Sequence, residues 1–422
     1  MESGVQLSLY ARCIAWLKLL GPGVLMATAA VGGSHLVAST QAGAKFGWQL
    51  ALLILLVNVL KYPFFRAGVS YTISTKQTLQ QGYLKMGKRY LGLALGLNSL
   101  ASVVNSAALL LFAASLLSYF IPFDMAITLS SSLVLGLILA ILLAGHFEGL
   151  DNIAKAIMGV LVLATVAVFI VALVNYDGTK VPANPPSPYT IASLGFLVVT
   201  MGWMPAPIEI SSITSLWLKR QCTNTAVTPK SALFDFNLGY GVTALLALLF
   251  LGLGALILYG SDTPLSTGGI GFSHQLISMY SSTIGQWAHW LIALVAFLCI
   301  FGSALTVYDG YARVVAEAIT LLRNNDKKAR NALVTPVLLV MALVSFVIVM
   351  FFKSALLAML GFAMTLAFVT TPVFAWLNHK LVQQTALHQD AAPSRFVQAL
   401  SYVGLIYLFG FLLVFIGWKW FS

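Results

Sequence analysis

The chain has 422 residues, of which 59% are hydrophobic and only 8% charged, with a formal net charge of +11. Soluble domains carry about 25% charged residues, so the composition excludes a water-soluble globular protein and describes an all-α, polytopic membrane protein. The basic residues sit in particular loops, so the positive balance points to the bilayer and not to a nucleic-acid partner.

A chain of this length accommodates about eleven spans of ~20 residues. Apolar stretches predict helices at about 14–40, 46–72, 91–119, 125–145, 153–174, 189–218, 232–259, 283–321, 332–351, 354–379 and 397–419. The residues ahead of Gly21 lack a small-residue cleavage site and lead straight into the first span, so no cleavable signal is expected. Cys13, Cys222 and Cys299 form no metal or disulfide spacing.

The first span opens on Gly21-Pro22-Gly23 and is interrupted by Gly32-Gly33-Ser34-His35 before it reaches Gln41-Ala42-Gly43-Ala44-Lys45-Phe46-Gly47. Glycine is costly in a helix and adopts unusual dihedrals freely. Irregular backbone at membrane depth is tolerated only where it is buried in protein or lines a cavity. In the second span Lys61 and Arg66 flank Pro63; they either snorkel to the interface or line an inner vestibule. Glu148 and Asp151 fall between the fourth and fifth spans, as surface or gate.

The sixth span carries a second interruption, Thr200-Met201-Gly202-Trp203-Met204-Pro205-Ala206-Pro207-Ile208-Glu209. Each proline removes a backbone donor and clashes with the preceding turn. Breaks at matching positions of two five-helix halves mark an inverted-repeat transporter and its binding site. The expected organisation is one transmembrane domain over 1–422, with repeats at 14–174 and 189–379 and an additional helix at 397–419. In the eighth span Asp309 and Arg313 are spaced for an intrahelical ion pair or for coupling, and Glu209 is placed to cap or to gate.

Two long loops hold the turn residues, Asn175 to Pro186 and Gly260 to Gly269. Loops on one side carry Lys76, Lys85, Lys88, Arg89, Lys219, Arg220, Lys230, Arg323, Lys327, Lys328, Arg330, Lys380 and Arg395; the other side has little beyond Lys45, Lys180 and Lys353. The positive-inside rule then sets the N-terminus in the cytoplasm and the C-terminus outside, in the inner (plasma) membrane of the cell.

With its Gly-Pro-Gly opening and its Gln41-to-Gly47 flank, the first span resembles the Nramp family of divalent-metal transporters. The resemblance implies a LeuT-type five-plus-five fold with the first and sixth helices broken. It also marks departures. The family's metal-binding Asp falls on Gly32 and its Asn on His35, and its Met-Pro-His aligns with Met204-Pro205-Ala206. The family's Asp-Leu-Ala-Glu on the proton route appears as Ser99-Leu100-Ala101-Ser102. The eighth span, Gly302 to Arg313, is more similar to an Nramp-related branch that includes magnesium transporters.

A hard divalent cation needs oxygen ligands and compensating negative charge in a low-dielectric site. The expected centre (Gly32, Gly33, Ser34, His35, Thr200, Met201, Trp203, Met204 and Ala206) contains no carboxylate. Half-helix N-termini near Ser34 and Ala206 would aim amide groups and partial positive charge into the cavity. The expected guest is therefore a small inorganic anion, bicarbonate first, with a divalent metal ion as the alternative. His35 either donates to that guest or holds a backbone carbonyl. LeuT-type folds bind sodium between the first and eighth spans, which implies a sodium site at Ala29, Ala30, Ser303 and Thr306. No cofactor and no resident metal are expected. Ser34-His35 lacks an acid partner, which argues against an enzyme.

Overall fold

The computed structural model describes residues 20–121, 123, 125–144, 147–176, 185–260, 266, 269–324 and 327–421. Cys13, Asp177 to Asn184 and most of the 260–268 loop lie outside these residues, as do the side chains of Glu148 and Asp151. Every regular element among the described residues is helical.

The first interrupted segment comprises α1 (Pro22–Ala30), a π-helical turn (Ser34–Ser39) and α2 (Thr40–Phe46). There follow α3 (Ala51–Thr75), a short α4 (Leu79–Met86), α5 (Lys88–Leu117), α6 (Ile127–Leu143) and α7 (Phe147–Val174). The second interrupted segment is α8 (Leu194–Gly202) and α9 (Ile210–Asn224). The chain continues through α10 (Pro229–Leu253), α11 (Gly269–Ile284), α12 (His289–Leu322), α13 (Lys327–Phe352), α14 (Leu356–Gln383) and α15 (Arg395–Phe421). Each of the eleven apolar stretches is mainly helical over its described residues, and the first and sixth are interrupted. Eight helices among the described residues are long and apolar enough to cross a membrane, with Ile127–Leu143 and Ile191–Gly202 as shorter apolar helices. Between the apolar stretches ending at 259 and beginning at 283, α11 occupies most of the expected linker; its mixed Gly-Ser-His composition hides a short helix from a hydropathy scan.

Local chemistry explains where helices begin. Thr78 and Gln81 form a reciprocal capping box ahead of α4, and Thr228 with Ser231 does so ahead of α10, where Pro229 supplies a preset first turn. The start of α1 is capped from a distance. Asp235 on α10 accepts from the Gly21 N–H (3.0 Å) and the Gly23 N–H (2.7 Å), a charge-assisted cap in the field of a helix N-terminus. This contact needs glycine. A Cβ on Gly23 would stand 2.2 Å from the Asp235 carbonyl oxygen, and one on Gly239 would stand 2.2 Å from the Gly23 oxygen. The Gly-Pro-Gly opening is thus the lock between α1 and α10.

The helices fall into two packed groups around the breaks. One joins α1 to α10, α3 to α9 and α3 to α10; the other joins α5 to α12, α12 to α13 and α5 to α13. The remaining long helices differ sharply in depth. In the most apolar window of Lys88–Phe120, 83% of residues are buried in protein, against 17% for Arg395–Trp420. Hence α5 is central and α15 presents its apolar side chains outward, as a lipid-facing helix does.

Candidate functional site

The first helix stops because Val31 leaves the helical region (φ −80°, ψ 92°), after its N–H has bonded to the Ala27 carbonyl. Gly32 then offers its carbonyl to the His35 and Leu36 amides, and the chain re-enters helix through Ser34–Ser39. The irregular stretch is therefore Val31-Gly32, shorter than the four residues expected. The second break is longer, from Trp203 to Glu209. There the Ile210, Ser211 and Ser212 amides bond to the carbonyls of Pro207, Ile208 and Glu209. Both anticipated amide ends are partly satisfied by local backbone, His35 and Leu36 at the first and Ile210 to Ser212 at the second.

The two breaks meet at a cavity of about 20 Å³. A water needs about 10–15 Å³ on such a measure, so the space holds one water-sized guest and its walls must part to admit more. Seven of the expected residues line it: Ala29, Ala30, Gly32, Gly33, Ser34, Trp203 and Ser303. The wall is completed by Asn105 and Leu109 of α5, Pro207 and Ile210 of the second break and α9, and Val307 and Tyr311 of α12. Sequence reasoning passed over Asn105 and Tyr311. A signal existed, since Asn105 continues the polar face of Ser102 three residues on.

The other expected residues lie elsewhere. His35 is fully buried, with Nε2 2.9 Å from the Thr243 carbonyl oxygen and Nδ1 2.7 Å from the Ser34 hydroxyl. Both ring nitrogens are thereby committed, and the ring is a strut to α10. Thr200 bonds back to the Phe196 carbonyl. Met201 receives the Tyr407 hydroxyl on its sulfur, and Met201 and Met204 pack in an apolar cluster with Phe46 and Phe368. Ala206 is buried but does not line the cavity. Thr306 donates to the Gly302 and Ser303 carbonyls of its own helix.

On the α12 side, carbonyls released at the end of α1 find hydroxyl and thiol donors. Ser303 donates to the Ala29 oxygen at 3.0 Å and Cys299 to the Val31 oxygen at 3.3 Å. These oxygens face α12. Among the described residues, no three His, Cys, Asp or Glu side chains cluster as a metal site.

The charged residues need one correction. The expected centre had no carboxylate, yet Glu209 is fully buried and Tyr311 reaches its Oε1 at 3.5 Å, the limit of a hydrogen bond. Asn105 in turn donates to the Tyr311 hydroxyl at 2.9 Å. A carboxylate thus stands one side chain behind the cavity wall. Lys61, read from sequence as interfacial or vestibular, is also fully buried, and its ammonium lies against the end of α8. Asp309 and Arg313 form an i,i+4 ion pair, with Nε 2.8 Å from both carboxylate oxygens. They line a separate cavity of about 600 Å³ with Lys219, Arg220 and Arg330, among α6, α9, α12 and α13.

Comparison with known proteins places this geometry. No family model matches the chain. A curated protein, the uncharacterized protein PM0681 of Pasteurella multocida (strain Pm70), is 45% identical over 406 residues, covering 94% of this chain and 93% of that one. The chain belongs to the PM0681 family. Solved structures extend the likeness to the fold. A manganese transporter from Eremococcus coleocola is 14% identical, with a TM-score of 0.64 over 98% of this chain and 89% of its own. MhsT in complex with L-phenylalanine gives 13% identity and 0.66, over 93% and 97%. MHP1, a nucleobase-cation-symport-1 family transporter, gives 13% and 0.61, over 95% and 92%. At these identities the shared property is architecture. The PM0681-family chain is a multi-pass membrane protein with the LeuT-type fold of Nramp-related transporters.

Proposed function

We propose that the protein is a secondary active transporter of a small inorganic anion, bicarbonate first, working by alternating access and coupled to sodium. The observation that carries this reading is the lining of the cavity between the breaks. Backbone of Gly32 and Gly33, the Ser34 and Ser303 hydroxyls and the Asn105 amide supply neutral polar groups, and no lining residue is acidic. Amides at the start of a helix carry partial positive charge, and Gly33 and Ser34, which open the helix after the first break, line the cavity. Gly32 itself is in this wall, where a Cβ would stand 3.0 Å from the Ser303 hydroxyl. Sodium is assigned to Ala29, Ala30, Ser303 and Thr306, where the released α1 carbonyls face α12.

The alternative is a divalent-metal transporter. Buried Glu209 favours it, since its Oε2 has no hydrogen-bond partner among the described residues. Purified protein in liposomes, with a pH dye inside, separates the two. Bicarbonate added outside should alkalinise the lumen only with protein and external sodium. Micromolar manganese or cadmium binding by calorimetry, without bicarbonate flux, would establish the metal reading instead.

The repeat boundaries, 14–174 and 189–379 with 397–419 added, belong to the same proposal, as does the inner-membrane location with the basic loops cytoplasmic. Cys222, half-buried beside the basic residues Lys219 and Arg220, reports on orientation. In intact cells an impermeant thiol reagent should leave it unlabelled until the membrane is opened.

A further inference from the structure

Lys61, in the middle of α3, is a fully buried charged group outside the cavity wall. Its Nζ donates to the Met201 carbonyl at 2.7 Å and to the Gly202 carbonyl at 3.1 Å. These are the last carbonyls of α8, which terminates inside the protein at the second break. A helix leaves its final carbonyls without intrahelical partners and carries partial negative charge there. In transporters with broken helices, such half-helix ends are where coupling cations coordinate. Arg66, little more than a turn further along α3, does something different: it reaches the Ala392 carbonyl near the surface.

We propose that the Lys61 ammonium is a built-in cation, filling the carbonyl end of α8 where a broken helix would otherwise hold an exchangeable one. A buried ammonium is strongly unfavourable unless it is both hydrogen-bonded and compensated. Met201 and Gly202 provide the bonds. Glu209, at the far end of the same break and likewise fully buried, supplies the opposite charge. The pair therefore neutralises the break from both ends, and no diffusible cation is required at α8. This assignment holds whichever guest the cavity takes and is separate from the carbonyls facing Ser303.

Chemical rescue of the purified full-length protein tests it. Lys61→Ala removes the charge and leaves a slot about as long as a short alkylammonium. Its thermal midpoint should fall by several degrees, and n-propylammonium chloride should restore more than half of that loss with saturation. Choline chloride and 1-propanol should not, and wild type should respond to none of them. Lys61→Met keeps the stem without the charge and should be destabilised too. If Lys61→Ala does not fold alone, the double variant with Glu209→Gln, which removes both charges, takes the same titration. Equal rescue by 1-propanol, no rescue by propylammonium, or wild-type stability in Lys61→Met would each overturn the proposal, because the side chain would then act only by packing.

Discussion

The two breaks solve one problem in opposite ways. At the first, the chain leaves helix for only Val31-Gly32, and released carbonyls are met by Ser303 and Cys299, neutral donors from a neighbouring helix. At the second, the interruption runs from Trp203 to Glu209 and is met by charge, Lys61 on the carbonyls and Glu209 beyond them. The neutral break borders the cavity with backbone and hydroxyls; the charged break supports it from behind. A substitution in the first should therefore alter the guest, and one in the second should alter the fold.

The largest effect is expected at the second break. A Cβ on Gly202 would sit 1.9 Å from the Met364 carbonyl oxygen of α14, a collision with backbone that no rotamer relieves. Gly202→Ala should cost about 3 kcal/mol or more. Little monodisperse protein should survive size-exclusion chromatography. Wild-type yield and stability would show that α8 can slide along α14, and the rigid description of this break would fail.

Gly32→Asp should do the reverse, sparing the fold and abolishing transport. The new Cβ would meet the Ser303 hydroxyl at 3.0 Å and Leu109 at 3.5 Å, contacts that side-chain movement relieves, while the buried carboxylate should lower the thermal midpoint without preventing folding. A carboxylate about 4 Å from a bound anion opposes it by about 4 kcal/mol at an effective dielectric of 20, roughly a thousandfold in affinity. Bicarbonate-driven alkalinisation should disappear while the protein stays folded. Uptake at the wild-type rate would remove the basis for assigning an anion.

Much of this contrast was readable in the sequence, because both breaks are written in local chemistry. Gly-Gly-Ser-His and Met-Pro-Ala-Pro mark where the helices are interrupted, although at the first break only Val31-Gly32 leaves helix. What could not be read is what meets each break from afar. Lys61 and Asp235 lie in other helices, and nothing in their neighbours separates a buried cap from an interfacial anchor. Tyr311 was invisible for a related reason: its role exists only because α12 packs against α5 and brings Asn105 and Glu209 within reach. His35 shows the remaining gap. A polar residue beside a break reads as a ligand, yet the π-helical turn points its ring at α10.

That placement yields an intermediate effect. His35→Ala leaves the Thr243 carbonyl without its imidazole partner and opens a void, for about 2–3 kcal/mol by denaturant or thermal unfolding. Guest affinity should stay within about twofold of wild type. A large loss of affinity at unchanged stability would return His35 to the cavity and give the first break a second donor.

The smallest effect concerns Ser303, where stability and function should separate most cleanly. Ser303→Ala removes one neutral hydrogen bond to the Ala29 carbonyl, about 1 kcal/mol. Unfolding should shift by no more than a few degrees. The Ala29 oxygen, however, would lose its only side-chain companion on α12 among the described contacts, and a sodium ion held there would lose a ligand. The sodium concentration for half-maximal uptake should therefore rise by about tenfold, the equivalent of about 1.4 kcal/mol, with bicarbonate affinity at saturating sodium unchanged. An unaltered sodium dependence would move the coupling ion away from α12. The second break could not receive it in the wild type, because the Lys61 ammonium already occupies the carbonyls at the end of α8.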